Sequence, residues 1–485
     1  MNRTTAEGAL KRLALLLPFC ICLSAHAGLD VPLPDIGDPA NQVMNPTEEQ
    51  QLGQQMMNEV RRQLSLDDDP EINAYIQDLG SRLASHTDAP DHSYHFFVVD
   101  SPQINAFAMP GGYIGVNTGL IDATRTESEL GAVLAHEIAH VTQRHLARQL
   151  LRERGSGWRM AALMLAGILL GTQNPQVGSA ATMSAIAGMA QQRLAYSRED
   201  EAEADRIGMQ TLAKAHLNPE GMPQFFNRLL QATRYNAEPP AFLADHPLTE
   251  NRIADAQARA RQLAGGKIFE SPEYDLMRAR LEVLSTQIPQ DAVNEFQARL
   301  ASGGGKRWAT RYGLALALQR TGEYARARTI LRQLIRTHGE YAPYFVGLAE
   351  VDRAAKQPEQ ALKALQEGLS LFPDDYALRF LHVETLLDEG HAEQAQRIAM
   401  AAVTDHPEDA DLWQLAARAA DSAHQPAQAR LAMGHYYYLR GDVPSALGQL
   451  EHVLNSSDAN EYQKSRATAL RTQWRAVLKR QSEDH

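Results

Sequence analysis

The chain has 485 residues, 44% hydrophobic and 22% charged, with a formal net charge of -12 and two cysteines. That length suits two domains, and the acidic balance argues against nucleic acid or an anionic membrane as the main partner. Arg3, Lys11 and Arg12 supply positive charge around an apolar run from Leu13 to Leu23, and Ala25-His26-Ala27 puts small residues at cleavage positions. This is the pattern of a secretion signal over residues 1–27, with an apolar run too short to cross a bilayer. Cys20 and Cys22 both fall inside it, and Phe19 is too bulky for a usual lipoprotein site. A mature chain from Gly28 would hold no thiol, which excludes disulfides and thiol catalysis and suits an oxidising compartment such as the periplasm.

Pro110-Gly111-Gly112 predicts a turn, and Tyr113-Ile114-Gly115-Val116 predicts a strand by its β-branched and aromatic content. The strand could lie at a sheet edge and pair with an extended peptide, or in the sheet interior. Next, Thr126 and Glu129 make a capping-box pattern ahead of an apolar run. From Leu130 to Val141 the strongly polar side chains are His136, Glu137 and His140 alone, so this helix is expected to be buried nearly all round. Spacing i, i+4 sets both imidazoles on one face, where they can share a zinc ion while Glu137 approaches its water. A buried Glu beside two His is costly unless a cation is present.

A catalytic zinc needs a third protein ligand and an open fourth position. A later His with a Gly turn is ruled out by Leu146 and Gln143. His145, nine residues after His136, reads as a surface or packing residue on the far side of the helix. The acidic run 197–205 offers the alternative: Glu201 and Asp205 share a face, and Ala204 keeps it narrow. Glu201 is then the third ligand, with Asp205 near enough to orient a ligand or handle a proton. Glu199 and Glu203 read as ordinary acidic surface. Between the two segments, Met160 to Leu170 is apolar for eleven residues, with more Ala, Gly and Met up to Met189. It is too short to span a membrane, leaving a buried helix, or a lipid-touching or lid-like hairpin over 160–190.

The blocks His136-Glu137-x-x-His140, Glu201-x-x-Ala204-Asp205-x-x-Gly208, Asn105-Ala106-Phe107-Ala108-x-Pro110-Gly111-Gly112 and His246-Pro247 with Arg252 resemble the M48 family of zinc metallopeptidases. The resemblance covers roughly residues 45 to 260. It implies His136, His140 and Glu201 as ligands to one zinc ion per chain, Glu137 as general base, Asp205 as proton donor and peptide hydrolysis as the reaction. His246 has three open readings: a stabiliser of the transition-state oxyanion, an occupant of zinc's fourth position until substrate displaces it, or a plain loop histidine. Arg252 either pairs with a carboxylate near the site or is an exposed helix-start arginine.

From about residue 265 the composition turns to Ala, Leu, Gln and Arg. Ala327, Ala361, Ala395 and Ala429 recur every 34 residues, as do Pro373 and Pro407, and Gly322 and Gly390 fall at equivalent turns. This resembles tetratricopeptide repeats, helix-turn-helix units that stack into a superhelix with a concave binding face. Tyr436-Tyr437-Tyr438 either lines a peptide groove or fills a packing seam. The expected layout is a signal peptide at 1–27, a zinc metallopeptidase domain at 28–264 and a repeat domain at 265–485. Its fold class is α+β, a mainly helical zincin-like (gluzincin-type) domain followed by an all-α repeat solenoid.

That order resembles periplasmic proteases of outer-membrane protein quality control. It implies outer-membrane β-barrel proteins such as LptD as clients and the BAM complex (BamA) as a partner of the repeats, with no nucleic acid. A repeat-based chaperone or scaffold with little proteolysis is the alternative.

Overall fold

In the computed structural model the described residues are 44–90, 92–152, 196–235, 240–303 and 305–483. The secretion signal expected at 1–27 and the apolar segment at 160–190 lie outside them. Helix α1 (Pro46–Gln63) starts with a complete capping box between Asn45 and Glu48, and α2 (Pro70–Ala84) is capped by Asp69. Proline at the first helical position preorganises both.

Three strands follow: β1 (His95–Val99), β2 (Ala106–Met109) and β3 (Tyr113–Asn117), in the order β1-β3-β2. β3 runs parallel to β1 and antiparallel to β2. It is therefore the middle strand, and the edge reading of residues 113–116 does not hold; the edge on that side is β2. The turn between β2 and β3 needs glycine. Gly112 has φ +80, and a Cβ there would sit 1.9 Å from the Ser93 carbonyl oxygen.

Helix α3 (Thr118–Ala123) leads into α4 (Glu127–Thr142), which is buried from Glu127 to Val141 as its sequence requires. The Thr126 hydroxyl accepts from the Glu129 amide at 3.1 Å. The return half of the expected box is shifted: Glu129 accepts from the Arg125 amide at 2.8 Å and from Arg228 at 2.6 and 2.9 Å. After α5 (His145–Arg152) come α6 (Arg198–Lys214), α7 (Gly221–Tyr235), α8 (Phe242–Asp245) and α9 (Glu250–Leu263). α4 lies between the sheet and α6, and Ile114, Val116, Leu134, Ile138, Met209 and Leu212 belong to one apolar core.

Helix α10 (Pro272–Ser285) serves two cores. Tyr274, Met277 and Leu281 join the core around α4, while Leu276, Ala279 and Val283 join that of the repeats. The repeat region continues as α11 (Pro289–Ser302), α12 (Arg307–Arg320), α13 (Tyr324–His338), α14 (Ala342–Ala354), α15 (Pro358–Leu371), α16 (Tyr376–Asp388), α17 (Ala392–Asp405), α18 (Ala410–Ser422), α19 (Pro426–Leu439), α20 (Val443–Leu454) and α21 (Glu461–Glu483). The four periodic alanines are each the fourth residue of α13, α15, α17 and α19, and all four are buried. Pro373 and Pro407 stand just past the ends of α15 and α17. The tyrosine run divides: Tyr438 stacks on Trp474 at 4.6 Å, while Tyr436 and Tyr437 line a cavity with Asn58, Arg61 and Arg440. Among the described residues no helix is long and apolar enough to cross a membrane.

Candidate metal centre

Helix α4 presents His136 and His140 one turn apart, and α6 carries Glu201 opposite them. The helices come this close because Gly208 lies against the Ala135–His136 backbone, where a Cβ would meet main-chain atoms at 3.1 Å. The turn before α9 delivers His246. These four side chains are all buried, and one ligand atom from each lies within 4.8 Å of every other.

The spacing within the group is informative. His136 Nε2 and His140 Nε2 are 3.0 Å apart, His136 Nε2 and His246 Nδ1 3.3 Å, and His246 Nδ1 and Glu201 Oε1 2.9 Å. His140 Nε2 and His136 Nε2 lie 3.5 and 3.6 Å from the Glu201 carboxylate. Tetrahedral zinc with bonds of ~2.0–2.1 Å separates its donors by about 3.3–3.4 Å. The set fits that ion in donor type and in spacing.

The electrostatics also favour a cation. Glu137 is buried, both of its carboxylate oxygens lack a hydrogen bond among the described residues, and His246 Nε2 is 3.4 Å from one of them. Burial raises the Glu137 carboxyl above its ordinary value against the pull of His246 and His136. Burial would raise Glu201 too, but His246, His140 and His136 outweigh it and hold that carboxyl well below the usual range. Burial would lower His246, and Glu201 and Glu137 overcome it, raising the imidazole to about 9. Carboxylates whose charge favours the cationic form of a buried imidazole mark a place for positive charge. Burial likewise drives His140 well down, leaving it neutral, the form that ligates.

Asp205 and Arg252 form the next layer. Asp205 Oδ1 is 3.0 Å from His136 Nδ1, the ring nitrogen turned away from the donor group. Arg252 grips both Asp205 oxygens, Nε to Oδ2 at 2.7 Å and Nη2 to Oδ1 at 2.8 Å. It also reaches Glu201 Oε2 and the Pro247 carbonyl, and its guanidinium covers the Phe226 ring. The reading of Arg252 as an exposed helix-start residue is thus replaced by a buried clamp.

All seven residues singled out in sequence therefore come together. Three others were misread or missed. His145 is buried, with Nδ1 2.9 Å from His140 Nδ1. α4 stops at Thr142 and Arg144 takes φ +51, so the chain turns and the far-side projection fails. Glu203 is paired with His145 and Arg148. Tyr196 stacks on His140 with centroids 3.9 Å apart, and no spacing signal in the sequence points to it.

The peptidase family M48 model matches residues 70–260, and a tetratricopeptide repeat model matches 352–419. The chain is 31% identical over 453 residues to the β-barrel assembly-enhancing protease of Escherichia coli K12, covering 92% of each chain. It is 34% identical over 438 residues to a putative β-barrel assembly-enhancing protease of Vibrio cholerae, covering 89% of this chain and 90% of that one. A mitochondrial metalloendopeptidase of Bos taurus, OMA1, is 34% identical over 164 residues, 32% of this chain and 30% of that one.

Proposed function

The chain belongs to the β-barrel assembly-enhancing protease family, M48 metallopeptidases with tetratricopeptide repeats, and from that premise we propose that it works in the periplasm, cleaving stalled outer-membrane β-barrel proteins and aiding their assembly. It is a zinc-dependent metalloprotease. The inferred layout is a signal at 1–27, the peptidase at 28–264 and the array at 265–485. LptD-type barrels are the proposed clients. The BAM complex, through BamA, is the proposed partner of the repeats. Unassembled barrels expose unpaired strand edges, which suits an enzyme that binds extended backbone. Among the described residues no strand pairs with the outer side of β2, which packs against α4, so β2 is the proposed docking edge.

The observation that carries the reading is the donor spacing among His136, His140, Glu201 and His246, 2.9–3.6 Å in five of the six pairs, with all four atoms within 4.8 Å of one another. The first three are the proposed zinc ligands. A zinc ion held there supplies Lewis acidity to the scissile carbonyl and acidifies water. Glu137 takes the proton of the attacking water and hands it to the leaving amine; burial raises its carboxyl above the ordinary value, the direction a general base that must also return the proton needs. Asp205, with both oxygens held by Arg252, fixes the His136 ring, which favours orientation over proton donation as its role. His246 offers a fourth ligand atom beside the other three, and this favours the reading in which it would occupy the metal's remaining position until substrate displaces it. Its burial and its contact with Glu201 at 2.9 Å favour a role at the site over that of a plain loop histidine.

The test is Glu137→Gln in the mature protein. Zinc content stays at one per chain, and digestion of casein or an unfolded barrel falls by roughly 10²–10⁴-fold, the usual worth of general acid–base catalysis. Retained client capture without cleavage in that variant would still fit a chaperone-like share of the work. Undiminished digestion would remove Glu137 from the mechanism.

A further inference from the structure

Every proposed zinc ligand is an imidazole or carboxylate whose second polar atom needs its own partner. For His136 that partner is Asp205, and for Glu201 it is Arg252. For His140 it is another histidine. His145 Nδ1 lies 2.9 Å from His140 Nδ1, and its other nitrogen, Nε2, lies 3.2 Å from Glu203 Oε2. Arg148, one turn along α5, holds the same Glu203 oxygen at 2.6 Å, and Asp200 Oδ1 lies 3.9 Å from His145 Nε2.

We propose that His145 and Glu203 are positioning residues for the metal centre: a carboxylate–imidazole chain that fixes the ring plane and tautomer of His140. The inference rests on the reading of His140 as a zinc ligand. Its logic is one of proton placement. His140 turns Nε2 to the other donors, so that atom must be free of hydrogen to ligate and Nδ1 must carry the proton. The Nδ1–H then needs an acceptor, and among the described residues His145 Nδ1 supplies it at 2.9 Å. With its Nδ1 accepting, neutral His145 carries its proton on Nε2, where Glu203 receives it. One tautomer at each ring satisfies every contact in the chain, and the reverse assignment sets two donors or two acceptors face to face. Orientation of a ligand imidazole by an outer hydrogen bond raises its basicity and its metal affinity.

The geometry has a second consequence. Glu201 and Glu203 sit on the same helix, one as ligand and one as the end of the chain to His140. Helix α6 thereby holds the histidine helix from both sides of the metal group. The turn at Arg144 that brings His145 back is itself fixed by Arg144 contacts to the Met44 carbonyl at 2.6 Å and to Glu49 at 3.2 Å.

The test uses the full mature protein, loaded with zinc or cobalt, and three variants: His145→Phe, His145→Gln and Glu203→Ala. Zinc affinity is read by competition with a chromophoric chelator, and folding by the melting temperature of the metal-free protein. His145→Phe keeps a ring in the packing and is expected to weaken zinc about 10–100-fold, the usual cost of losing an outer partner, with the metal-free melting temperature little changed. His145→Gln, whose side-chain oxygen can accept from His140, recovers part of that loss. Glu203→Ala, at a half-exposed position that tolerates change, weakens zinc in the same direction. The visible absorption of the cobalt protein shifts in His145→Phe and returns towards the parent in His145→Gln. Zinc affinity and cobalt spectrum both unchanged in His145→Phe and in Glu203→Ala would overturn the proposal. So would a weakening matched by an equal fall in metal-free stability. A parent that binds no zinc would instead defeat the metal-centre reading itself, and this inference with it.

Discussion

At the scale of single residues, the centre is a balance of buried charges that no one side chain could sustain alone. Glu137 has no hydrogen bond among the described residues, Glu201 is shared between His246 and Arg252, and Asp205 is shared between Arg252 and His136. His246 closes this set. Removing it opens the metal's remaining position and leaves the three proposed ligands in place. His246→Ala is therefore expected to keep zinc and to digest an unstructured test protein several-fold faster than the parent. A loss of activity with zinc retained would point to oxyanion stabilisation by His246 instead. How much of this was legible in advance depends on how each residue is linked to its neighbours. The pair His136 and His140 was readable because helical spacing alone sets them together, and Glu201 because Asp205 repeats on its face. His145 was not readable. Its direction depends on where α4 stops, and Arg144 at φ +51 is a turn that no glycine or proline announces.

At the scale of elements, the two ligand-bearing helices must approach more closely than most pairs. Gly208 makes this possible, since even a Cβ there would contact the Ala135–His136 backbone at 3.1 Å. Gly208→Leu is expected to force α6 away from α4 and carry Glu201 off the histidines. Overpacking of this kind costs about 1–3 kcal/mol, and zinc affinity should fall at least tenfold with it, measured by chelator competition. Affinity equal to the parent would mean that the helices are not held together at that point. In the array the 34-residue rhythm was plain because every repeat solves the same packing problem with the same small residue. The turns obey the same rhythm less visibly. Gly322, Lys356, Gly390 and His424 follow one another at 34-residue intervals, and all four have positive φ. Sequence marks the two glycines and hides the other two, since lysine and histidine are not residues that usually take this conformation. The strand at 113–117 was misjudged for a related reason: β-propensity identifies a strand and does not say whether it lies inside the sheet or at its edge.

At the scale of the whole molecule, composition changes near residue 265, and α10, just beyond it, packs into two apolar cores. That helix shares its apolar faces between the two cores, and Arg280 on it carries the charges across. The buried guanidinium meets Asp69 at 2.7 Å and Glu71 at 2.7 Å from the α2 side, and Glu350 of α14 at 2.6 Å. Tyr312 of α12 adds a hydrogen bond to Glu71 at 3.3 Å. One cation and three carboxylates thus tie α2 and α10 to α14, beside the bond from Arg61 of α1 to the Leu439 carbonyl. Arg280→Met strands those carboxylates in a buried place and is expected to cost about 3–5 kcal/mol, the usual result of breaking a buried pair. Denaturant unfolding checks it; a midpoint equal to the parent's would mean that the Arg280 cluster adds nothing to the stability of this junction.

The account stands most directly on the metal content of the mature protein. It predicts one zinc per chain in the parent, with chelator abolishing digestion and added zinc restoring it. It predicts less than a tenth of that zinc in a folded variant with His136, His140 and Glu201 all replaced by alanine. A parent free of zinc, or a triple variant that keeps its full complement, would contradict it.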